Sequence, residues 1–314
     1  MRDVMNHSLT NTIFSERCVL GTAGLGGIWG PVDEKESVQT ILHALDAGCT
    51  AIDMAPAYAN AEAIVGRALK LWKGAMPSIS TKVGRLKSFA SGDGSYDYSD
   101  DGMEQSVMNS LQTLSVPCVD VLFLHEPEVV TEEEVERVVK KMVSFKARGI
   151  AQKIGLGGNY PDYYKPYLFD GIFDAVMRFN KLNAVIADDE NTALPFCINN
   201  NIEYYLASPL YMGLLGQRFD EFVHNKPDWI PGHIIARARE VKLIADEFNM
   251  PLQEVAHRFL LGVSPAFKLV VGASNMQQLL STIKDINNGP LPLEIHNQVA
   301  DCLQDKSMYG TDRQ

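Results

Sequence analysis

Short apolar runs rich in β-branched residues alternate along the chain with longer stretches of helical period. The runs are CVLGTA (18–23), CTAIDM (49–54), PSISTK (77–82), VDVLFL (119–124), AQKIGLG (151–157), FDAVMRF (173–179), IEYYLA (202–207) and FKLVVGA (267–273). Runs of this length without strict alternation fit strands covered on both faces. Between them, EKESVQTILHALDAG places Val38, Ile41, Leu42 and Leu45 on one helical face and stops at a glycine. AEAIVGRALKLW follows the second run, and the segment Gly102 to Leu114 follows the third. TEEEVERVVKKMVSFKARG opens on a threonine cap with acids in its first turn, and closes on basic residues and Gly149. Helix caps and the helix dipole favour that order of charges.

Eight strand–helix units without a break in composition predict a single α/β domain over residues 1–314, a closed (β/α)8 TIM barrel with its active site at the C-terminal face. A doubly wound open sheet is the alternative fold. The stretch GLLGQRFDEFVHNKPDWIPG (213–232) is longer than a simple connection and carries Trp229, so an ordered loop over the barrel mouth is expected there.

Composition narrows the partners. The 314 residues are 46% hydrophobic and 21% charged, enough for a large core. A formal charge of −11 argues against nucleic acid, which requires a concentrated basic surface, but leaves room for a small phosphorylated cofactor held by backbone amides. Cys18, Cys49, Cys118, Cys197 and Cys302 are scattered and form no CxxC pair, so neither a disulfide framework nor a metal site is expected. The opening MRDVMNHSLTNTIFSERCVL lacks the continuous apolar core of a secretory signal, and no apolar run approaches the roughly 18 residues that span a bilayer. The expected setting is cytoplasmic, with a small-molecule substrate and no membrane or nucleic-acid partner; the sequence leaves the oligomeric state open.

In a parallel barrel the C-terminal ends of the strands share one mouth, whatever their distance in sequence. Those positions hold Asp53, Lys82 and His125, with Asn159 just past the fifth run and Tyr58 in the loop after the second. Singly, each has an ordinary structural use: a turn cap, a rim lysine, a satisfied imidazole, a packed phenol. Together they form a set. A buried carboxylate needs a partner, and Lys82 can supply it. The ammonium is then expected to pull the Tyr58 phenol below its reference pKa of about 10, readying it to exchange a proton with an alkoxide or alcohol. His125 can orient the same substrate oxygen. This is equipment for carbonyl reduction or alcohol oxidation, short only of a hydride carrier, and it calls for no metal.

These residues resemble the Asp–Tyr–Lys–His tetrad of the aldo-keto reductase family, position by position. The resemblance runs from GTAGLGG (21–27) through IDMAPAYANAEAIVGRAL to VVGASNMQQLLSTI (270–283). STKVGR, YDYSDDGMEQSVMNSLQTL and VDVLFLHEPE are similar to the branch holding D-threo-aldose, L-fucose and L-galactose dehydrogenases. The resemblance implies an NAD(P)-dependent oxidoreductase moving a hydride between nicotinamide and the carbonyl or hydroxyl carbon of an aldose or small aldehyde, with Tyr58 as general acid and base. It implies a dinucleotide extended across the mouth, near Gly21, Thr22, Asp53, Asn159, Ser208, Leu210, Gly272, Ser274 and Gln278, so that KIGLGGN is no dinucleotide fingerprint. Substrate would meet Trp29, Tyr58 and His125.

The chain also departs from the family pattern. Gly158 replaces the serine that usually precedes the asparagine, and Ala207 replaces a tyrosine that stacks on nicotinamide, with Phe179 a candidate substitute. Gly272 or Ala273, and Gln278, stand where NADP-preferring relatives carry cations, so NAD is favoured over NADP. Arg218 is a candidate for the pyrophosphate, with an exposed loop arginine as its alternative, and Arg85 for polar substrate groups, with a rim salt bridge as its alternative. Two other functions are compatible with the residues: a cofactor-sensing, reductase-like regulatory subunit with little turnover, and a barrel isomerase or lyase using Lys82 as a Schiff-base former.

Overall fold

Eight parallel strands close in sequence order: β1 (Cys18–Gly21), β2 (Ala51–Asp53), β3 (Ser78–Val83), β4 (Val119–His125), β5 (Ala151–Gly157), β6 (Ala175–Phe179), β7 (Glu203–Ala207) and β8 (Phe267–Gly272), with β8 pairing back onto β1. The computed structural model describes residues 16–304. The expectations for the N-terminal stretch before residue 16, and for the domain's ends at 1–15 and 305–314, lie outside the described residues. The predicted barrel is the observed architecture, with helices between successive strands around its outside. Among the described residues no helix is long and apolar enough to cross a membrane.

Alternate residues of β1, β4, β6, β7 and β8 join two different cores. Val19, Val121, Phe123, Ala175, Met177, Tyr205 and Val270 fill the barrel interior. Their neighbours Leu20, Leu122, Leu124, Ile154, Val176, Leu206 and Leu269 pack outward with the helices. A polar cluster occupies the N-terminal ends of the strands, where Glu203 pairs with Lys153 and, at 2.8 Å, with Lys268, which also reaches the Tyr205 hydroxyl at 3.0 Å. The interior is therefore a plugged core, and the C-terminal mouth is left to hold ligands.

Element ends differ from the sequence pattern where capping decides them. The helix after β3 starts at Asp100 rather than Gly102, because Ser99 Oγ accepts the Gly102 N–H at 3.1 Å and brings Asp100 and Asp101 into the first turn. Thr131 is not a helix cap. Its carbonyl closes a turn with Glu134 N at 3.0 Å, and the helix runs from Val135 to Ala147. The long connection after β7 is ordered as expected: a short turn at Tyr211–Gly213 and a helix at Phe219–His224 precede Trp229, which stacks on Tyr211 and meets Phe222 edge-on.

Candidate active site

Asp53 ends β2, Lys82 lies near the end of β3 and His125 ends β4. Asp53 sits in register with Ser80, two residues before Lys82 on the same strand, so Ser80 and Lys82 share a face beside the carboxylate. Ser80 Oγ donates to Asp53 Oδ1 at 2.8 Å, and Lys82 Nζ donates to Asp53 Oδ2 at 2.5 Å and to the Met54 carbonyl at 2.9 Å. Asp53 and Lys82 each retain 2% of their exposure. The expected buried pair is present, with Ser80 as an additional support; strand alternation two residues before Lys82 was the sequence signal for it.

Tyr58 is placed by the chain on both sides of it. Its N–H bonds the Ala55 carbonyl at 3.1 Å, and its carbonyl receives Ala61 N at 2.9 Å as the helix Ala61–Leu71 begins. Gly26 of the β1 loop packs directly on this turn: a Cβ there would come within 2.3 Å of the Tyr58 carbonyl oxygen, so glycine is what allows the approach. The Lys82 ammonium lies 4.7 Å from the centre of the Tyr58 ring, and the His125 ring meets Tyr58 edge-on at 5.7 Å. The four strand-end and loop residues therefore form one cluster. His125 Nδ1 is buried without a hydrogen-bond partner.

Electrostatics corrects one expectation. Burial raises the Tyr58 phenol above its ordinary value; the Lys82 charge pulls it back and Asp53 pushes it further up, leaving it raised rather than lowered. Desolvation of a phenolate outweighs one nearby ammonium. Burial also works against the Lys82 ammonium, but Asp53 and Tyr58 hold its proton affinity above that of an ordinary lysine. His125 is pushed well below the usual imidazole value by burial and then by the Lys82 and Arg85 charges, so it is neutral at physiological pH.

The residues expected to meet a dinucleotide stand at or after the C-terminal ends of β1, β2, β5, β7 and β8. Gly21 is in register with Asp53 on one side and Gly272 on the other, and Thr22 Oγ1 donates to the Asp53 carbonyl at 2.9 Å. Asn159 Nδ2 donates to the Phe179 carbonyl at 3.2 Å, while its Oδ1 is buried without a partner. Such an orphan acceptor suits the NH2 of a carboxamide. Phe179 continues the inward-facing line of Ala175 and Met177, is in register with Ala207, and is 39% exposed. A Cβ at Gly158 would lie 2.7 Å from Pro127 Cδ and 3.1 Å from Glu126 Cα, besides the movable Glu128 carboxylate, so a serine there would require the neighbouring turn to shift. Ser208 and Leu210 form the turn after β7, with Ser208 in the left-handed region at φ 62° and its Oγ accepting Met212 N at 3.0 Å.

At the far end, Gln278 Oε1 accepts Ser274 N at 2.8 Å and its Nε2 donates to Gln217 of the β7 connection at 3.0 Å. Asn275 caps the helix Met276–Asn287 through Gln278 N at 2.9 Å. Arg218 is half exposed and bidentate with Glu221, at 2.9 and 2.7 Å, and Arg85 makes the rim salt bridge, with Glu126 at 2.6 Å. Trp29 is half exposed in the β1 loop, three residues beyond Gly26. Among the described residues no three His, Cys, Asp or Glu side chains gather as a metal site.

Comparison with known proteins places this geometry. The sequence model of the aldo/keto reductase family matches residues 17–304. The NADH-specific methylglyoxal reductase of Escherichia coli K12 is 30% identical over 74% of this chain and 72% of its own length. L-galactose dehydrogenase of Arabidopsis thaliana is 23% identical over 83% and 84%. The solved structure of a glycerol dehydrogenase from Gluconobacter oxydans, 24% identical, superposes with a TM-score of 0.74 over 95% of this chain and 94% of its own, which shows the shared fold. The family match extends through all eight strands, including the three whose ends carry Asp53, Lys82 and His125: the chain belongs to the aldo/keto reductase family of oxidoreductases.

Proposed function

We propose that this protein is an NAD(P)-dependent oxidoreductase acting on a small sugar or aldehyde, with Tyr58 as its proton donor and acceptor and NAD as the preferred dinucleotide. The observation that carries the reading is the placement of the Lys82 ammonium between the Asp53 carboxylate, at 2.5 Å, and the Tyr58 ring, at 4.7 Å, with the His125 ring edge-on to Tyr58 at 5.7 Å. A bound nicotinamide supplies or removes the hydride. The chain's own residues manage the proton and the geometry. Asp53 and Ser80 keep Lys82 charged and fixed. Lys82 offsets part of the cost of a negative Tyr58 oxygen in a buried place. Neutral His125 orients the substrate oxygen without competing for its proton. A raised phenol remains protonated at neutral pH, which suits donation to a developing alkoxide; the oxidative direction is favoured as pH rises.

The mouth fits the cofactor. Asn159 Oδ1 offers the unused acceptor for a carboxamide, and the Phe179 ring, from the strand beside Ala207, offers the stacking face. Gly21, Thr22, Ser208, Leu210, Gly272 and Ser274 flank the path of the dinucleotide. Support for NAD comes from Gln278, a neutral amide engaged at both ends where a 2′-phosphate would require a cation. The name of the E. coli relative points the same way, and that of the plant relative points to an aldose. The chain is read as one catalytic domain acting on a small molecule.

The test is a matrix of aldoses with NAD or NADP, and of aldehydes with NADH or NADPH, followed at 340 nm. Repeated turnover of an aldose or aldehyde is expected, with the 2′-unphosphorylated nucleotide preferred. Nucleotide binding without turnover would overturn the enzymatic reading, and turnover of a carbonyl substrate without nucleotide would overturn the cofactor assignment.

A further inference from the structure

Beside the tetrad, the loop after β3 folds back as a small ribbon bridged at Arg85 and Tyr96, and grips the residue that follows His125. Arg85 Nη1 lies 2.6 Å from Glu126 Oε1, Arg85 Nη2 donates to the Ser91 carbonyl at 2.8 Å, and the Tyr96 hydroxyl donates to Glu126 Oε2. Only 13% and 22% of the Arg85 and Glu126 side chains remain exposed. Glu126 itself is held in the left-handed region, at φ 51° and ψ 59°, an uncommon conformation for a side chain of this kind. The Tyr98 hydroxyl fixes it there by donating to the carbonyls of His125, at 2.7 Å, and Glu126, at 3.0 Å. An expensive backbone conformation is thus maintained immediately after a residue of the site, and its result is to aim a carboxylate at Arg85. The guanidinium stands close enough to be felt by the reacting groups: after burial and Lys82 it is the next influence on His125, and it also acts on Tyr58, behind burial, Lys82 and Asp53.

We propose that Glu126 sets the charge selectivity of the site: by neutralising Arg85 at the rim it restricts substrates to carbonyl compounds without a carboxylate, and Arg85 left alone would draw acidic ones in. This rests on the oxidoreductase reading and narrows its substrate class to neutral sugars and aldehydes. The overall charge of −11 acts in the same direction by repelling anions from the surface. An unpaired guanidinium in a partly buried rim is worth about tenfold in discrimination between a neutral and an anionic ligand several ångströms away.

The experiment compares butanal with succinic semialdehyde, aldehydes of equal carbon count that differ by a carboxylate, using NADH and NADPH. It also measures succinate binding by calorimetry, which needs no turnover. In Glu126→Gln the ratio of kcat/KM for succinic semialdehyde over butanal is expected to rise about tenfold, and succinate to bind about tenfold more tightly. Arg85→Met should move both quantities the opposite way. The double variant, neutral again, should return to within about twofold of the parent, as a charge effect requires. Unchanged ratios in the single variants, or a gain that survives in the double variant, would overturn the proposal. Should Glu126→Gln fail to fold, Arg85→Met decides alone. If the parent protein reduces neither aldehyde, oxidises no aldose and binds no dinucleotide, the functional reading falls, while the succinate titrations still decide this inference.

Discussion

Replacing Asp53 with asparagine keeps the shape of the side chain and removes its charge. Lys82 would then hold an ammonium at 2% exposure with the neutral Met54 carbonyl and Tyr58 hydroxyl as its partners. Removing one partner of a buried pair costs about 3–5 kcal/mol, because the surviving ion is left desolvated. Against a total stability of about 5–15 kcal/mol this is a large fraction. With a urea m-value near the upper end of about 1–3 kcal/mol/M, the midpoint should fall by about 1–2 M. Asp53→Leu combined with Lys82→Met should recover most of the loss, since two apolar groups of similar volume often replace a buried pair at little cost. Urea unfolding at pH 7, followed by tryptophan fluorescence and circular dichroism, reads both variants. The pH dependence adds a sign. In the parent, Lys82 is raised, so its contribution is fully present below the unfolded lysine pKa and is lost as pH rises through the folded one. In Asp53→Asn, burial, the largest influence on Lys82, is opposed by Tyr58 alone and should lower the lysine, so the variant gains stability as pH rises towards the unfolded value. The gap between parent and variant should therefore narrow from pH 7 to pH 10. A gap below about 1 kcal/mol at pH 7, or one independent of pH, would show that Asp53 and Lys82 do not meet as a charged pair.

Tyr58→Phe should lower kcat by about 10²–10⁴ while the NADH dissociation constant stays within about twofold; steady-state rates and fluorescence titration report the two quantities. Because burial holds Tyr58 above its ordinary value of 10.0, kcat/KM for oxidation should climb through pH 9 and 10 without levelling off. His125, pushed well below 6.5 by burial, should add no acid limb between pH 6 and 8 in either direction. Phe179→Ala should weaken NAD binding about three- to tenfold and leave ADP-ribose binding unchanged, as loss of one ring–ring contact requires; equal weakening of both would place Phe179 in the core instead.

The barrel and its reactive cluster were legible in the sequence because parallel topology turns a one-dimensional fact, which residue ends a strand, into a three-dimensional one. Asp53, Lys82 and His125 could be brought together without knowing any distance between them. Tyr58 was legible only as a neighbour. Its proton affinity was misjudged because a sequence displays charges and hides burial, and burial is the larger influence here. The fate of the arginines was hidden for a related reason. Arg85 finds Glu126 across 41 positions, and Arg178 finds Asp189 and, through it, Tyr204 after two strands have closed beside each other. Such pairings depend on loop paths that no hydrophobic period encodes.

The two halves of the mouth differ in what they leave unsatisfied, and that difference accounts for how the site can divide its labour. At the C-terminal ends of β2, β3 and β4 charged groups engage one another, Asp53 with Lys82 and, just beyond the strands, Arg85 with Glu126. These ion pairs hold a field steady without a ligand, and what stays open beside them is a ring nitrogen, His125 Nδ1, buried without a partner. On β5 and β6 the open groups are amide oxygens. Asn159 keeps a buried oxygen without a partner, and Asn180, at φ 51°, keeps another just beyond Phe179. The Asn159 amide is anchored to the Phe179 carbonyl, so the orphan acceptor and the exposed ring are tied to one piece of backbone. Buried acceptors without donors are costly unless something arrives to satisfy them. Paired charges around one unpartnered imidazole nitrogen on one side, and unpaired amide oxygens beside an exposed ring on the other, give the mouth two chemically distinct halves, which is what the proposed separation of proton transfer from carboxamide capture requires.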